Sequence, residues 1–460
     1  MSAMFRSFSI FNYRVWFVGA LVSNIGRWMQ ATALSWVVLT ELTNNDAGAM
    51  GVTMALQFAP PLLLVSVTGW AADRFSRRGL LVITQLLQLV LGLLVGILIL
   101  LGDMTLPIMY GLAVMLGVVA AFDNPARQAF VSDIVSRENA SNAVALNSAS
   151  FNGARMIGPA VAGVGIVLVG SGWVFVINSL MFLAMIAALM LLRTDDLVPR
   201  VVGSGSARLA DGFRYVAGRP DLIVVFAMVF LLGAFGMNFP IFASTMAIEF
   251  GQDADGYGLL SSILAIGSLA GALLAAQRDR ARVRFVVFGT ALFAVAGLVS
   301  AFMPTYWLYA VTLMATGFAV VTTLTTANGY VQTTTDPALR GRVLALYMAI
   351  LMGGTPLGAP IVGWVADQYG PRVAILLGAA AAFVAFAIGG IWMLSSGRVH
   401  RHESHRFLLT LDETRPLAVV HPEEFSDEVA STTPISIAGA TPDAARTASP
   451  RSSRPAHHRA

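Results

Sequence analysis

The chain has 460 residues, 57% of them hydrophobic and only 12% charged, with a mean hydropathy of +0.73. A soluble protein carries about a quarter charged residues, so most of this surface must face lipid, and the absence of cysteine excludes disulfide frameworks, thiol catalysis and zinc–cysteine sites. The net charge is +4 and all 29 basic residues are arginine, which in an apolar chain marks the cytoplasmic side of a bilayer rather than nucleic-acid binding.

A helix needs roughly 20 apolar residues to cross a hydrocarbon core about 30 Å thick. About twelve runs reach that length, at residues 15–40, 50–72, 79–101, 105–122, 141–169, 172–192, 221–248, 256–276, 283–303, 306–330, 341–366 and 372–396. Arg27 interrupts the first run, where a cleaved secretory signal would need a continuous apolar stretch, so the segment is read as a retained helix. With the N-terminus inside, the cytoplasmic segments hold Arg6, Arg14, Arg74, Arg77, Arg78, Arg127, Arg137, the arginines of 193–219 and 278–284, Arg340 and Arg342. The opposite loops, 40–49, 102–105, 170–172, 249–255 and 303–305, hold no basic residue; Arg372 is the exception to the pattern. Excess arginine marks cytoplasmic loops, so both termini are expected in the cytoplasm.

A polar connection at 193–219 divides the spans into two groups of six. The expected layout is an N-terminal bundle at 1–192, a cytoplasmic central loop at 193–219, a C-terminal bundle at 220–396 and a disordered cytoplasmic tail at 397–460. From Arg398 onward the tail has eight arginines against eight acids, which argues against a polybasic lipid anchor. The bundles look related, because a shift of 200 residues lays Ala145-Leu146 on Ala345-Leu346, Gly153 on Gly353, Gly158 on Gly358 and Gly163 on Gly363. A repeat of six helices around a central cavity is the organisation of many secondary transporters.

Between the second and third spans stands Gly69-Trp70-Ala71-Ala72-Asp73-Arg74-Phe75-Ser76-Arg77-Arg78. This segment resembles the signature loop of the major facilitator superfamily, G-x-x-x-D-R-x-x-R-R. The equivalent loop of the second half, around Gly271 to Arg284, has Ala275 where the acid would repeat. Phe122-Asp123-Asn124-Pro125-Ala126-Arg127, Asn142 to Asn147, Arg155 to Ala160 and Ser23 to Met29 are similar to the exporter branch that contains the enterobactin exporter and macrolide efflux proteins. That resemblance covers residues 1 to about 396. It implies an all-α membrane protein of twelve transmembrane helices in two pseudo-symmetric six-helix bundles. It also implies a conformational gating role for Gly69, Asp73, Arg74, Arg77, Arg78 and Arg127, with Asp123 as partner of the loop charges. The competing reading is that these charges only enforce topology.

Arg27 and Arg155 lie mid-run, where each costs about 2.5–3.5 kcal/mol unless it faces a partner or water. Arg27 and Trp28 are candidate substrate-binding residues, able to meet an anionic or aromatic molecule. Asn24, Gln30, Asn152, Arg155 and Asn238 complete the candidate set; a purely structural role stands as the alternative, most strongly for Arg155. The predicted spans hold no mid-depth carboxylate, and every histidine falls between His400 and His458, so the candidate proton-coupling groups are Glu41 and Glu249 at two outer helix ends. No metal or cofactor motif, nucleophile–base pair or phosphate loop is present, so neither an enzyme nor a cofactor is expected. The expectation is a monomeric multi-pass protein of the plasma (inner) membrane, exporting small amphipathic molecules by alternating access with protons as coupling ion. Uncoupled transport or uptake by the same fold, and a sensor signalling through the C-terminal tail, remain as alternatives.

Overall fold

The computed structural model describes residues 3–197, 209–277, 281–396, 399–401 and 409–411, without the side chains of a few of these, Asp73 among them. Residues 1–399 form one compact unit. Its first half comprises α1 (Phe11–Thr40), α2 (Ala47–Leu63), α3 (Val65–Arg74), α4 (Arg77–Leu101), α5 (Leu106–Ile134), α6 (Arg137–Val169) and α7 (Ser171–Leu191). A short helix, α8 (Leu209–Ala217), precedes the second half: α9 (Pro220–Leu231), α10 (Phe239–Glu249), α11 (Ala254–Ala276), α12 (Val283–Ala301), α13 (Tyr306–Thr334), α14 (Arg340–Tyr369) and α15 (Pro371–Ser395). Strands β1 (Val399–Arg401) and β2 (Leu409–Leu411) pair with each other, and the rest of the tail lies outside the described residues.

Ten helical segments among the described residues are long and apolar enough to cross a membrane, counting Pro220–Glu249 as one. The remaining two expected spans depart from that pattern for local reasons. Arg27 and its polar neighbours dilute α1, which still runs unbroken for 30 residues. The second span carries Pro60 and Pro61 in its last turn and breaks at Leu64, giving a 17-residue and a 10-residue helix; proline removes an amide donor and crowds the preceding turn.

Polar side chains cap some of the helix starts. Asp46 accepts from the Ala49 amide at 2.7 Å to cap α2, and Ser76 accepts from the Gly79 amide at 3.3 Å to cap α4. Gly102, in the left-handed region at φ 78°, ends α4. The seventh span is interrupted by a π-helical turn, Leu232–Gly236. Two predicted ends are corrected: the fourth and tenth spans, α5 and α13, continue to Ile134 and Thr334, because their polar last turns are paid for by partners in the bundle instead of being shed into a loop.

The arginine-bearing loops gather at one end of the bundles. There Arg77 meets Asp133, Arg78 meets the Leu189 carbonyl, and Asn12 meets the backbone of Arg193. The halves join at the other, far end, where α2 packs on α14 and α6 on α11. Backbones touch there: a β-carbon at Gly51 would fall 2.3 Å from the Ala359 carbonyl, and one at Gly163 would fall 2.4 Å from the Ala254 carbonyl. The largest apolar core draws on both halves toward that end, including Trp36, Met50, Phe239 and Tyr257. At the arginine-rich end, the core around Tyr13, Trp16, Phe130 and Met185 belongs to the first half alone. Gly69 and Gly153, toward the arginine-rich end, meet no atom within 4 Å of where a β-carbon would sit, whereas the close backbone contacts between the halves gather toward the far end.

Candidate functional site

Asp123 organises the polar interior of the first bundle. It is fully buried on α5 and accepts four hydrogen bonds: from Arg27 at 2.9 Å, Arg127 at 3.1 Å, Thr84 at 2.9 Å and Gln85 at 2.7 Å. Arg27 also donates to the Asn124 side chain at 2.9 Å, and Arg127 to the Ser23 hydroxyl at 3.2 Å. Arg127 stands one turn along α5 from Asp123, a spacing that places both on one face. Three helices therefore converge on one carboxylate.

This geometry corrects two expectations. A carboxylate does sit inside the helix bundle, because α5 extends past the predicted end of the fourth span and carries Asp123 with it. Its partners are Arg27 and Arg127 rather than the loop charges. Asp123 lies beside Thr84 and Gln85, about 10 Å along α4 from Arg77 at 1.5 Å per residue, which is beyond the reach of the loop arginines. Arg77 instead pairs with Asp133 at 2.6 Å, and Arg78 donates to the Leu189 carbonyl at 2.8 Å. Arg74 is exposed, Gly69 faces open space, and the Asp73 side chain lies outside the described residues.

Next to the cluster is an aromatic face. The Arg155 guanidinium lies 5.5 Å from the centroid of the Trp28 ring, and Trp28 meets Phe151 edge-on at 5.8 Å. No carboxylate pairs with Arg155 among the described residues. Asn152 is half-buried one turn away and donates to the Ser148 carbonyl at 2.9 Å. Trp28 and Arg155 are thus brought together, with Arg27 next to Trp28 along α1 and Asn152 one turn from Arg155 along α6. Asn24 and Gln30 are not part of that face; both are buried inside the first bundle. Asn238 is buried beside the π-helical turn, where it donates to the Ala234 carbonyl at 2.6 Å.

The outer carboxylates are both engaged. Glu41 accepts from the Ser171 hydroxyl at 2.7 Å, and Glu249 accepts from Arg372 at 2.6 Å. A pocket of about 530 Å³ opens at the far end, lined by Asn44, Asp46, Thr245, Glu249, Asp367 and Gln368 among others. It lies at the rim between the halves, away from Arg155 and Trp28. In the second half, Arg219 forms a two-pronged pair with buried Asp221 at 2.9 and 2.7 Å, and these bonds hold its guanidinium above its ordinary pKa.

Residues 2–411 match the family of transmembrane secretion effectors, a branch of the major facilitator superfamily. The chain belongs to this family. Among curated relatives, the staphyloferrin A transporter of Staphylococcus aureus is 24% identical over 367 residues, covering 78% of this chain and 90% of that protein. The multidrug efflux pump Tap of Mycolicibacterium fortuitum is 27% identical over 375 residues, with the same coverages. A bacterial homologue of the human lysosomal transporter Spinster, solved inward-facing and unoccupied, superposes with a TM-score of 0.67 at 14% identity, covering 85% of this chain and 97% of that one. A D-xylose–proton symporter superposes at 0.66 and 13% identity, covering 82% and 96%. These likenesses make the chain a multi-pass major facilitator transporter of small molecules with efflux relatives.

Sequence reasoning missed Phe151, Thr84, Gln85, Ser23 and Asn124 as members of the cluster. One signal was available: Asp123 and Arg127 stand four apart, the spacing of a helical ion pair, and so imply that the helix continues through them.

Proposed function

We propose that this secretion-effector family member exports small amphipathic molecules across the plasma membrane by alternating access, with protons as the coupling ion. The observation that carries the reading is the combination of halves closed at the far end with a charged and aromatic group, Arg27, Trp28, Phe151 and Arg155, on the first bundle. In this reading α1, the broken α2–α3 and the ten apolar segments make twelve crossings. Both termini are cytoplasmic, the arginine-rich end faces the cytoplasm, and the conformation is inward-facing. The protein works as a monomer.

Trp28 and Phe151 supply an aromatic contact, Arg155 a cation without a carboxylate partner among the described residues, and Asn152 a hydrogen-bonding group. That set fits substrates combining an aromatic or apolar body with an anionic or hydrogen-bonding group. The names of the relatives, a siderophore transporter and a multidrug pump, agree with that range. Gating falls to Gly69, Asp73, Arg74, Arg77 and Arg78, which mark the separated end of the halves. Asp123 and Arg127 act deeper, in the cluster that binds Arg27.

Coupling is assigned to carboxylates that the transport cycle exposes in turn: Glu41, Glu249 and Asp123. A second reading, transport without proton antiport, is favoured by the engagement of Glu249 with Arg372 and of Glu41 with Ser171. The test is extrusion of dyes, macrolides and catecholate siderophores from cells lacking their own pumps, with and without a protonophore, comparing wild type with Asp73→Asn, Asp123→Asn and Glu41→Gln/Glu249→Gln. Proton-coupled export requires extrusion that fails with the protonophore and with at least one carboxylate change. Extrusion that ignores the protonophore and every carboxylate change supports the uncoupled reading.

A further inference from the structure

The signature segment has a partial copy at the opposite end of the molecule, with Gln368 and Pro371 in place of Arg74 and Arg77. Gly69-Trp70-Ala71-Ala72-Asp73-Arg74-Phe75-Ser76-Arg77-Arg78 lies at the arginine-rich end, and Gly363-Trp364-Val365-Ala366-Asp367-Gln368-Tyr369-Gly370-Pro371-Arg372 lies at the far end. Glycine, tryptophan, alanine, aspartate and the last arginine recur in register, and an aromatic residue follows each aspartate by two positions. The arginines play matching parts. Arg78 donates to the Leu189 carbonyl at 2.8 Å, and Arg372 donates to the Ala301 and Met303 carbonyls at 2.9 and 3.0 Å. Each ties the start of one helix to the end of another within its own half.

The far-end copy is seen engaged across the halves. The Asp367 carboxylate accepts from the Ala47 amide at 2.7 Å and the Gly48 amide at 2.6 Å, one oxygen on each. Those amides open α2, a 17-residue helix of the other half, and have no partner within that helix. A carboxylate against the positive end of a helix is attracted by the helix dipole as well as by the two donors, and here these attractions act against Asp46, which caps the same helix and meets the Asp367 carboxyl directly. Glycines make the approach feasible: a β-carbon at Gly363 would fall 2.2 Å from the Ala47 carbonyl, and one at Gly48 would fall 2.9 Å from the carboxylate.

We propose that Asp367 is a gating residue, a carboxylate latch that holds the far end closed by clasping the first turn of α2. The latch rests on the alternating-access reading but not on any particular substrate. Opening the far end must break both bonds, so Asp367 weights the equilibrium between the two faces of the transporter.

The test reads that equilibrium directly, without substrate. The chain contains no cysteine, so spin labels can be placed uniquely on the full-length protein in lipid nanodiscs. One labelled pair, Asp103→Cys with Phe302→Cys, reports the far end; another, Ser132→Cys with Gln332→Cys, reports the arginine-rich end. Asp367→Asn keeps the size of the side chain but replaces one acceptor with a donor and removes the charge. It is expected to raise the ratio of far-end-open to far-end-closed molecules about tenfold, lengthening the first distance and shortening the second. Gln368→Ala, its immediate neighbour, is expected to leave both distributions unchanged.

Unchanged distributions in a folded Asp367→Asn protein overturn the latch, and so does an equal shift in Gln368→Ala. Should Asp367→Asn fail to fold, Gly48→Ala crowds the same carboxylate and is read against the same outcomes. Failure of the export reading looks different: distances that shift as expected in a protein that extrudes nothing.

Discussion

Asp123 balances one of the two guanidiniums that touch it, so the cluster keeps a net positive charge inside the first bundle. Removing one member of a buried ion pair leaves an uncompensated charge, at a cost of about 3–5 kcal/mol. Asp123→Asn is therefore expected to lower the thermal unfolding temperature strongly and to abolish transport. Adding Arg27→Gln should recover part of the stability but not the transport, a pattern that a double-mutant cycle of unfolding measurements checks. Arg155 is placed differently, with an aromatic ring as its contact and no carboxylate partner among the described residues. Arg155→Gln should leave the unfolding temperature near wild type while raising KM for anionic aromatic substrates by about 10- to 100-fold, the worth of one charge-assisted hydrogen bond. A fall in stability without a change in KM would assign Arg155 to packing. The sequence shows that Arg27 needs a polar partner, since an isolated arginine in a span is costly. It does not show which one, because Thr84, Gln85 and Asp123 are brought to it by the packing of α4 and α5 against α1 and α7.

At the scale of the helices, the interface between the halves is built from small residues. Gly51, Gly163, Gly258 and Gly363 each stand where a β-carbon would come within 2.5 Å of a backbone carbonyl on the opposite half. Gly163→Val is expected to prevent closure of the far end, trapping the protein with that end open. Labelling of a single cysteine at Ala254 by a membrane-impermeant maleimide should then rise several-fold, whereas Gly153→Val, where no atom approaches, should not change it. The helix ends follow how far each signal is local. Asp46, Ser76 and Gly102 fix boundaries through short-range capping, and those boundaries agree with the apolar pattern to within a few residues. The continuation of α5 to Ile134 depends on Asp123, Arg127 and Asp133 finding distant partners, which hydropathy cannot register. The repeat of Gly153, Gly158 and Gly163 at Gly353, Gly358 and Gly363 was legible, and several of these glycines prove to be contact points between helices.

For the whole molecule, the two halves, their joined far end and the polar group on the first bundle form one system. In the proposed cycle, closing the arginine-rich end encloses Arg155 and Trp28 between the bundles, and opening the far end presents them to the other side. The direction and driving force of that cycle are tested most directly in everted membrane vesicles energised by respiration, where export appears as accumulation inside. A fluorescent aromatic anion and a probe of the pH gradient are followed together. Proton-coupled export requires that the anion accumulate, that its addition release part of the pH gradient, that a protonophore abolish both signals, and that at least one of Asp123→Asn and Glu41→Gln/Glu249→Gln do so in a protein that still folds. Accumulation that ignores the pH gradient, or loss of the anion from energised vesicles, would contradict it.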